Sequence, residues 1–396
     1  MKIALVDNMN NNFFALARYL RDLGCEVDLY LIPNRKHKHF DPQADTWQDV
    51  SNMSWIKEFP LSYHPITYVR STRSILCKSF ASYEKIIACG ASLGLFYRAG
   101  ISVDIFIPYG SDLLGLPFFT FKLSCSLFDL SRSALLKYSS FAQKRGIQQS
   151  KRIAVNTNWH LAKQALDKIN RTAINIPRVM IYKEDYPAKT NNKYTWLSSY
   201  DFSVFSPTRH EWATNSEPMP DFTKNGGAKR NDKLIRAFAQ LVEASLVSSP
   251  LLLMCEYGAD VDHSKRLIAS LGIQQFVRWL PLLPRREILI IMQHVSIIAD
   301  QFREDMSATS AGTTNEALAV GKPIITNTDG ACNDVSDPYY NCPILEALST
   351  EQIYSWLERC AKSPHFAKSV GDAGAKWFDQ NLGFGLAQKY LTLLDN

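Results

Sequence analysis

Hydrophobic positions recur along this chain in two alternating rhythms. The run Ile3-Ala4-Leu5-Val6 is short and wholly apolar, as a strand buried on both faces must be. A polar loop, Asp7 to Asn12, follows it; then Phe13, Leu16, Ala17 and Leu20 fall on one helical face, with Gly24 and a second apolar run, Val27 to Leu31, after them. The same succession returns in KIIACG, ASLGLFYRAG and VDIFIP, and again in RIAVN, NWHLAKQALDKI and RVMIY. Lys183 to Ser199 has linker composition and breaks the rhythm.

A second series starts at DFSVFSPTR and runs through a helix over Asp232 to Leu246, then PLLLMCEYG, HSKRLIASLG, FVRWL, RREILIIMQH and VSIIADQF. It ends in GTTNEALAVGKPIITN, where a helix carrying Glu316 stops at Gly321, a residue suited to a left-handed cap, and passes into a strand. Beyond Thr350 the pattern is helical only, with Trp356, Leu357, Trp377, Phe378, Tyr390 and Leu391 as expected anchors. Strands that alternate with helices in two series predict an α/β chain of two doubly wound, Rossmann-like domains. Their expected limits are 1–185 and 200–375, with a C-terminal helical segment over 376–396.

Composition adds bounds. The 396 residues suit two domains of about 150 to 200 residues each, and 46% apolar with 21% charged residues describes an ordinary soluble globular protein. A net charge of +6 is compatible with phosphates or anionic lipid and does not call for nucleic acid. Eight cysteines without a C-x-x-C pair fit reduced thiols in a reducing compartment. MKIALVDN meets a charge too early for a signal-peptide core, and no stretch nears about 18 unbroken apolar residues. The expectation is a cytoplasmic protein, at most peripheral at the inner membrane face. Phe118 to Arg152, with phenylalanines and leucines interleaved by Lys122, Arg132, Lys137, Lys144 and Arg145, reads either as a membrane-surface amphipath or as a core helix with a basic outer face.

Candidate chemistry lies at strand ends, where parallel sheets collect ligands and helix N-termini offer free N–H groups to phosphates. Arg209 ends the first strand of the second series; Lys229 opens the next helix; Gly312, Thr313 and Thr314 precede Glu316. One anion could be approached from all three strand ends. His37 and His39 stand in a basic loop without a partner cluster, so no metal is expected.

KRNDKLIRAF resembles the Lys-Gly-x-Asp-x-Leu-Ile-x-Ala-Phe stretch of family 4 and related retaining glycosyltransferases of the GT-B fold, and NEALAVGKPIITN is similar to their Glu-Ala-Met-Ala-x-Gly-x-Pro-Val-Ile segment. PYGSDL resembles the His-Gly-Ser-Asp loop of some members. The resemblance covers about a third of the chain, Phe202 to Asn327. It implies a GT-B fold with two Rossmann-like domains facing a cleft, a donor bound by the second domain, an acceptor by the first, and a last helix returning to the first domain. It further implies transfer of a sugar from a UDP- or GDP-linked donor to a glycan or lipid-linked acceptor with retention, without a metal or other cofactor. Arg209 and Lys229 match the diphosphate cations and Glu316 the ribose carboxylate. Acceptor-side candidates are Asn10, Asn11, Asn12, Ser111 and Asp112; all five also read as turn or cap residues.

The chain departs from that pattern at three places. Ala308 stands eight positions before Glu316, where the family commonly has a second glutamate that contacts the sugar. A long insertion before Lys229 makes Lys224 a rival for its role, and DNMNNN replaces paired glycines in the first loop. The rival readings are a non-catalytic GT-B subunit that binds a partner enzyme or glycan, and a nucleotide-sugar epimerase.

Overall fold

The computed structural model describes residues 1–35, 40–70, 72–120, 126–185, 192–213, 229–303 and 312–395. Two compact units divide the chain: Met1–Tyr182 together with Leu382–Asn396, and Lys183–Asn381.

The first unit is built on β1 (Lys2–Val6), α1 (Asn12–Asp22), β2 (Glu26–Leu31), β3 (Ile56–Glu58), α2 (Arg73–Phe80), β4 (Lys85–Ala88), α3 (Ser92–Ala99) and β5 (Ile105–Phe106), followed by α4 (Ser111–Leu114), α5 (Leu127–Gln149), β6 (Arg152–Val155), α6 (His160–Lys168) and β7 (Ile174–Asn175). All seven strands are parallel, in the order β3-β2-β1-β4-β5-β6-β7. Ile3 to Val6 are fully buried because helices cover both faces of the sheet, which is why that run shows no alternation. Phe59, Phe80 and Phe96 pack ring against ring at 5.1 to 6.1 Å in the core of this unit.

RVMIY, expected as a strand, is not one. Its residues lie outside the sheet, and Ile174–Asn175 takes the edge beside β6 instead. Two residues leave too little pattern to be read from the sequence. α5 falls within the Phe118 to Arg152 stretch and exposes Phe128, Arg132, Lys137, Phe141 and Arg145.

The second unit repeats the plan with β8 (Phe202–Ser206), α7 (Asn231–Glu243), β9 (Pro250–Cys255), α8 (Val261–Ser270), β10 (Val277–Leu280), α9 (Arg285–His294), β11 (Ile297–Ala299), α10 (Gly312–Ala319), β12 (Ile324–Thr326) and β13 (Leu345–Glu346). The parallel order is β10-β9-β8-β11-β12-β13. Counted from its own first strand, this matches the first six strands of the other sheet. The order reverses between β1 and β4 in one unit and between β8 and β11 in the other, and each reversal opens a crevice at the carboxyl ends of the strands.

α11 (Thr350–Lys362) and α12 (Pro364–Asn381) complete the second unit. Leu357 and Phe378 are buried there, while Trp356 and Trp377 are only partly so. α13 (Phe384–Asp395) belongs to the first unit, where Leu386, Tyr390 and Leu394 are buried and Tyr390 Oη donates to the Pro177 carbonyl at 2.8 Å. Phe384 remains 40% exposed, with its ring 6.5 Å from that of Tyr19 on α1.

Candidate active site

β8 ends at Ser206, and the residues after it are knitted to the start of α7. Ser206 Oγ and Thr208 Oγ1 share a hydrogen bond of 2.9 Å, Asn231 Nδ2 donates to Thr208 Oγ1 at 3.4 Å, and Glu211 N donates to Asn231 Oδ1 at 3.2 Å. Arg209 projects from this loop with its side chain 44% exposed and Nε 2.8 Å from Glu211 Oε1. The Glu211 carbonyl in turn accepts from Lys229 N at 2.6 Å. The structure therefore brings Arg209 and Lys229 to one strand end through a shared glutamate.

Lys229 Nζ donates to Gln301 Oε1 at 2.6 Å, across the reversal in strand order. Burial pushes its pKa down to about 8; the Asp300 charge offsets part of this, while Arg209 and Arg303 add to the lowering. At the crevice Arg209 is thus exposed and Lys229 desolvated. An anion placed there restores to Lys229 the favourable field that burial removed.

Glu316 is the fifth residue of α10 and is 7% exposed. Arg285, first residue of α9, donates Nε to Glu316 Oε1 at 2.9 Å. The Glu316 charge also adds to the burial that raises the Cys255 thiol to about 12, so the carboxylate lies near the end of β9. Gly312 and Thr313 are half-buried, whereas Thr314 turns inward and donates Oγ1 to Asp300 Oδ2 at 2.8 Å.

The sequence analysis did not single out Arg285, Asp300 or Gln301. A signal for Arg285 existed: Arg285-Arg286 opens a helix, where the dipole disfavours cations and an anionic partner offsets it.

In the first unit Asn8 and Asn11 of the loop after β1 bond to the chain itself, while Asn12 Oδ1 is buried without a partner. Asn8 Nδ2 donates to Asn11 Oδ1 at 2.7 Å, Asn8 Oδ1 accepts from Phe14 N at 3.0 Å, and Asn11 Nδ2 donates to the Asp41 carbonyl and to Asp45 Oδ1. Asn10 and Asn11 are left-handed, with φ of 53° and 57°; Asn11 and Asn12 are buried and Asn10 is half-buried. Asp112 accepts from the backbone N–H groups of Gly90, Tyr109, Gly110 and Leu113, while Ser111 is exposed.

Lys224, Ala308, His37 and His39 lie outside the described residues. Among the described residues no group of three or more His, Cys, Asp or Glu side chains is placed to hold a metal ion, and no helix is long and apolar enough to cross a membrane.

No family model matches the chain, and no curated protein matches it. Solved structures do. HepE of Anabaena in complex with UDP aligns over 100% of both chains at 13% identity with a TM-score of 0.60. Sucrose-phosphate synthase of Thermosynechococcus elongatus aligns over 100% of this chain and 98% of its own at 14% identity and a TM-score of 0.57. The lipopolysaccharide outer core galactosyltransferase WaaB aligns over 100% and 99% at 12% identity and a TM-score of 0.53. Likeness along the whole chain at such low identity is likeness of fold, and with two six-strand orders that repeat one another it identifies the fold of this chain as GT-B.

Proposed function

We propose that the chain is a nucleotide-sugar-dependent glycosyltransferase whose second unit binds a UDP- or GDP-linked donor and whose first unit receives a glycan or lipid-linked acceptor. The observation that carries this reading is the set Arg209, Lys229 and Glu316, which one sheet gathers at the carboxyl ends of its strands. As the bond from the anomeric carbon to the diphosphate breaks, negative charge grows on the departing oxygen. Arg209 and Lys229 stabilise that charge, and Glu316 accepts from the ribose hydroxyls, with no metal required. The acceptor hydroxyl attacks the face that the diphosphate leaves, and its proton passes to the leaving phosphate oxygen, so the anomeric configuration is retained.

HepE, solved with UDP and with UDP-glucose, supports a nucleotide sugar as donor, and WaaB, named for lipopolysaccharide, supports a surface glycan as acceptor. A screen of UDP- and GDP-sugars for release of free nucleotide diphosphate tests the reading. Turnover of one donor is expected. Failure of every nucleotide and nucleotide sugar to bind in calorimetry would instead favour a non-catalytic GT-B subunit, the reading that Ala308 in place of the family's second glutamate supports.

A peripheral membrane contact belongs to the same proposal. Residues 61–152 hold twelve Lys and Arg against four Asp and Glu, a surplus of eight that exceeds the +6 of the whole chain. On α5 this charge accompanies Phe128 and Phe141, 74% and 48% exposed. Exposed aromatic and basic side chains along one helix suit an anionic lipid surface. Co-sedimentation with vesicles rich in phosphatidylglycerol, lost on Phe128→Glu and absent with phosphatidylcholine alone, is the expected result; equal sedimentation of Phe128→Glu removes α5 from the contact.

A further inference from the structure

The crevice of the second unit holds a carboxylate that the proposed reaction leaves unused. Asp300 follows β11 and is 2% exposed. Its Oδ2 accepts from Thr314 Oγ1 at 2.8 Å, and its Oδ1, also buried, has no hydrogen-bond partner. Burial pushes its pKa up, and the charge of Lys229 is the largest influence that pulls it back. Asp300 is likewise the largest influence that keeps the Lys229 pKa from falling further. The charged groups that act on Lys229 are Asp300 after β11, Arg209 and Glu211 after β8, and Arg303 beyond Gln301. Glu211 is already engaged with Arg209 at 2.8 Å. Without Asp300, burial and two arginines favour loss of its proton, and of these charges Glu211 alone, the smallest influence, opposes them.

We propose that Asp300 is a positioning residue that acts through Lys229: held by Thr314 from the helix that carries Glu316, its carboxylate keeps the buried amine charged while Gln301, its neighbour, fixes that amine by hydrogen bond at the reversal in strand order. The inference rests on reading Lys229 as a contact of the leaving diphosphate. It also explains why Thr314 turns away from the surface. Through Asp300 it ties the diphosphate cation to the helix of the ribose carboxylate, so the two contacts share one frame.

The test separates the amine from its ligand. In the full chain, competitive acetylation of Lys229 with acetic anhydride, followed by mass spectrometry from pH 6 to 10, reads the proton on that amine directly. Wild type is expected to titrate near the value of about 8 that its surroundings set. Asp300→Asn keeps the shape and an oxygen for Thr314, and should lower the midpoint by about one unit or more. Thr314→Val, which removes the donor that favours the charged carboxylate, should lower it by less. An unchanged midpoint in both variants overturns the proposal.

Inorganic pyrophosphate, which lacks base and ribose, then probes the site by calorimetry. Its affinity should fall as pH rises through the Lys229 midpoint, at lower pH in Asp300→Asn than in wild type, while Lys229→Ala binds weakly without that limb. A shifted amine with no pyrophosphate bound by wild type leaves the Asp300 coupling standing and overturns the diphosphate reading of Lys229.

Discussion

The two sheets have the same strand order and therefore the same crevice, yet they fill it in opposite ways. In the first unit Asp7 follows β1 and is 1% exposed; it accepts from Arg35 Nη1 at 3.0 and 3.1 Å, from Tyr63 Oη at 2.9 Å and from Asn8 N at 2.7 Å. Gly90, after β4, comes so close that a Cβ there would stand 2.1 Å from Asp7 Oδ2. Asp7 at that reversal is spent on the fold, although Asn12 Oδ1 in the same loop is buried without a partner. In the second unit Asp300 keeps an oxygen without a partner, Lys229 is desolvated against an amide, and Arg209 is nearly half exposed. Topology makes a crevice; side chains decide whether it closes on itself or waits for a ligand.

The comparison breaks first if the filled crevice proves dispensable. Gly90 has φ of 66°, so Gly90→Ala adds backbone strain to a collision with a carboxylate that is itself held, and should cost roughly 3 to 4 kcal/mol. Asp7→Ala should cost about 3 kcal/mol, the low end for a broken buried pair, because Arg35 is 29% exposed and regains water. Asp300→Asn, by contrast, should stay within about 1 kcal/mol of wild type, since Thr314 keeps an acceptor. Urea unfolding measures all three, and hydrogen exchange in β1 and β4 localises the first two. A larger loss in Asp300→Asn than in Asp7→Ala would reverse the assignment of the two crevices.

Next in size is catalysis. One contact to a leaving group is worth about 3 kcal/mol in the transition state, so Arg209→Ala and Lys229→Ala should each lower kcat/KM by roughly a hundredfold. Arg209 has little packing to lose, so its melting temperature should hardly move. Wild-type rates in both variants would remove the diphosphate role, and loss confined to Lys224→Ala would pass that role to Lys224.

Glu316 comes third, and its ion pair changes how the experiment reads. Glu316→Gln removes the charge that strengthens bonds to ribose and also frees Arg285, so a weaker nucleotide complex alone does not tell ribose binding from a lost salt bridge. A 2'-deoxynucleotide does. Affinity of wild type should exceed that of Glu316→Gln by about tenfold to a hundredfold, or 1.5 to 3 kcal/mol. Wild type should also disfavour the deoxy form, and the variant should scarcely distinguish the two. Equal discrimination by both proteins would leave Glu316 as a partner of Arg285 and nothing more.

The same physics that separates the crevices explains what the sequence made legible. Central strands such as β8, β9 and β12 are buried on both faces, so their apolar runs stand out, and Gly321 after α10 has the left-handed φ, 69°, expected of it. Edge strands carry no such mark. β3 is the exposed tripeptide IKE, and β7 and β13 have two residues each. Arg209, Lys229 and Glu316 were legible because each sits at a junction whose local pattern is distinctive. Arg285, Gln301 and Asp300 were not, because their pairings span 31, 72 and 14 residues and arise only from the order in which strands lie side by side.

The smallest effect concerns how the open crevice is kept rigid. His210, next to Arg209, is fully buried, shares a 2.8 Å hydrogen bond between Nδ1 and Ser264 Oγ, and has no partner at Nε2. Gly258, with φ of 111°, lets the loop after β9 close on it, for a Cβ there would lie 2.4 Å from His210 N. Burial holds the imidazole pKa down at about 4, against 6.5 in an unfolded chain, despite the nearby Asp260 charge. Between those values the unfolded chain binds the extra proton, so the contribution of neutral His210 is whole above pH 6.5 and shrinks as pH falls towards 4. By pH 5.5 wild type should lose roughly 1.4 kcal/mol relative to pH 7.5 from this group alone. His210→Gln, which does not titrate, should lack that share of the pH dependence even though it is less stable at pH 7.5. Parallel urea stabilities for the two proteins across this range would mean that His210 is protonated in place, and that the loop carrying Arg209 is held by something other than a neutral, desolvated histidine.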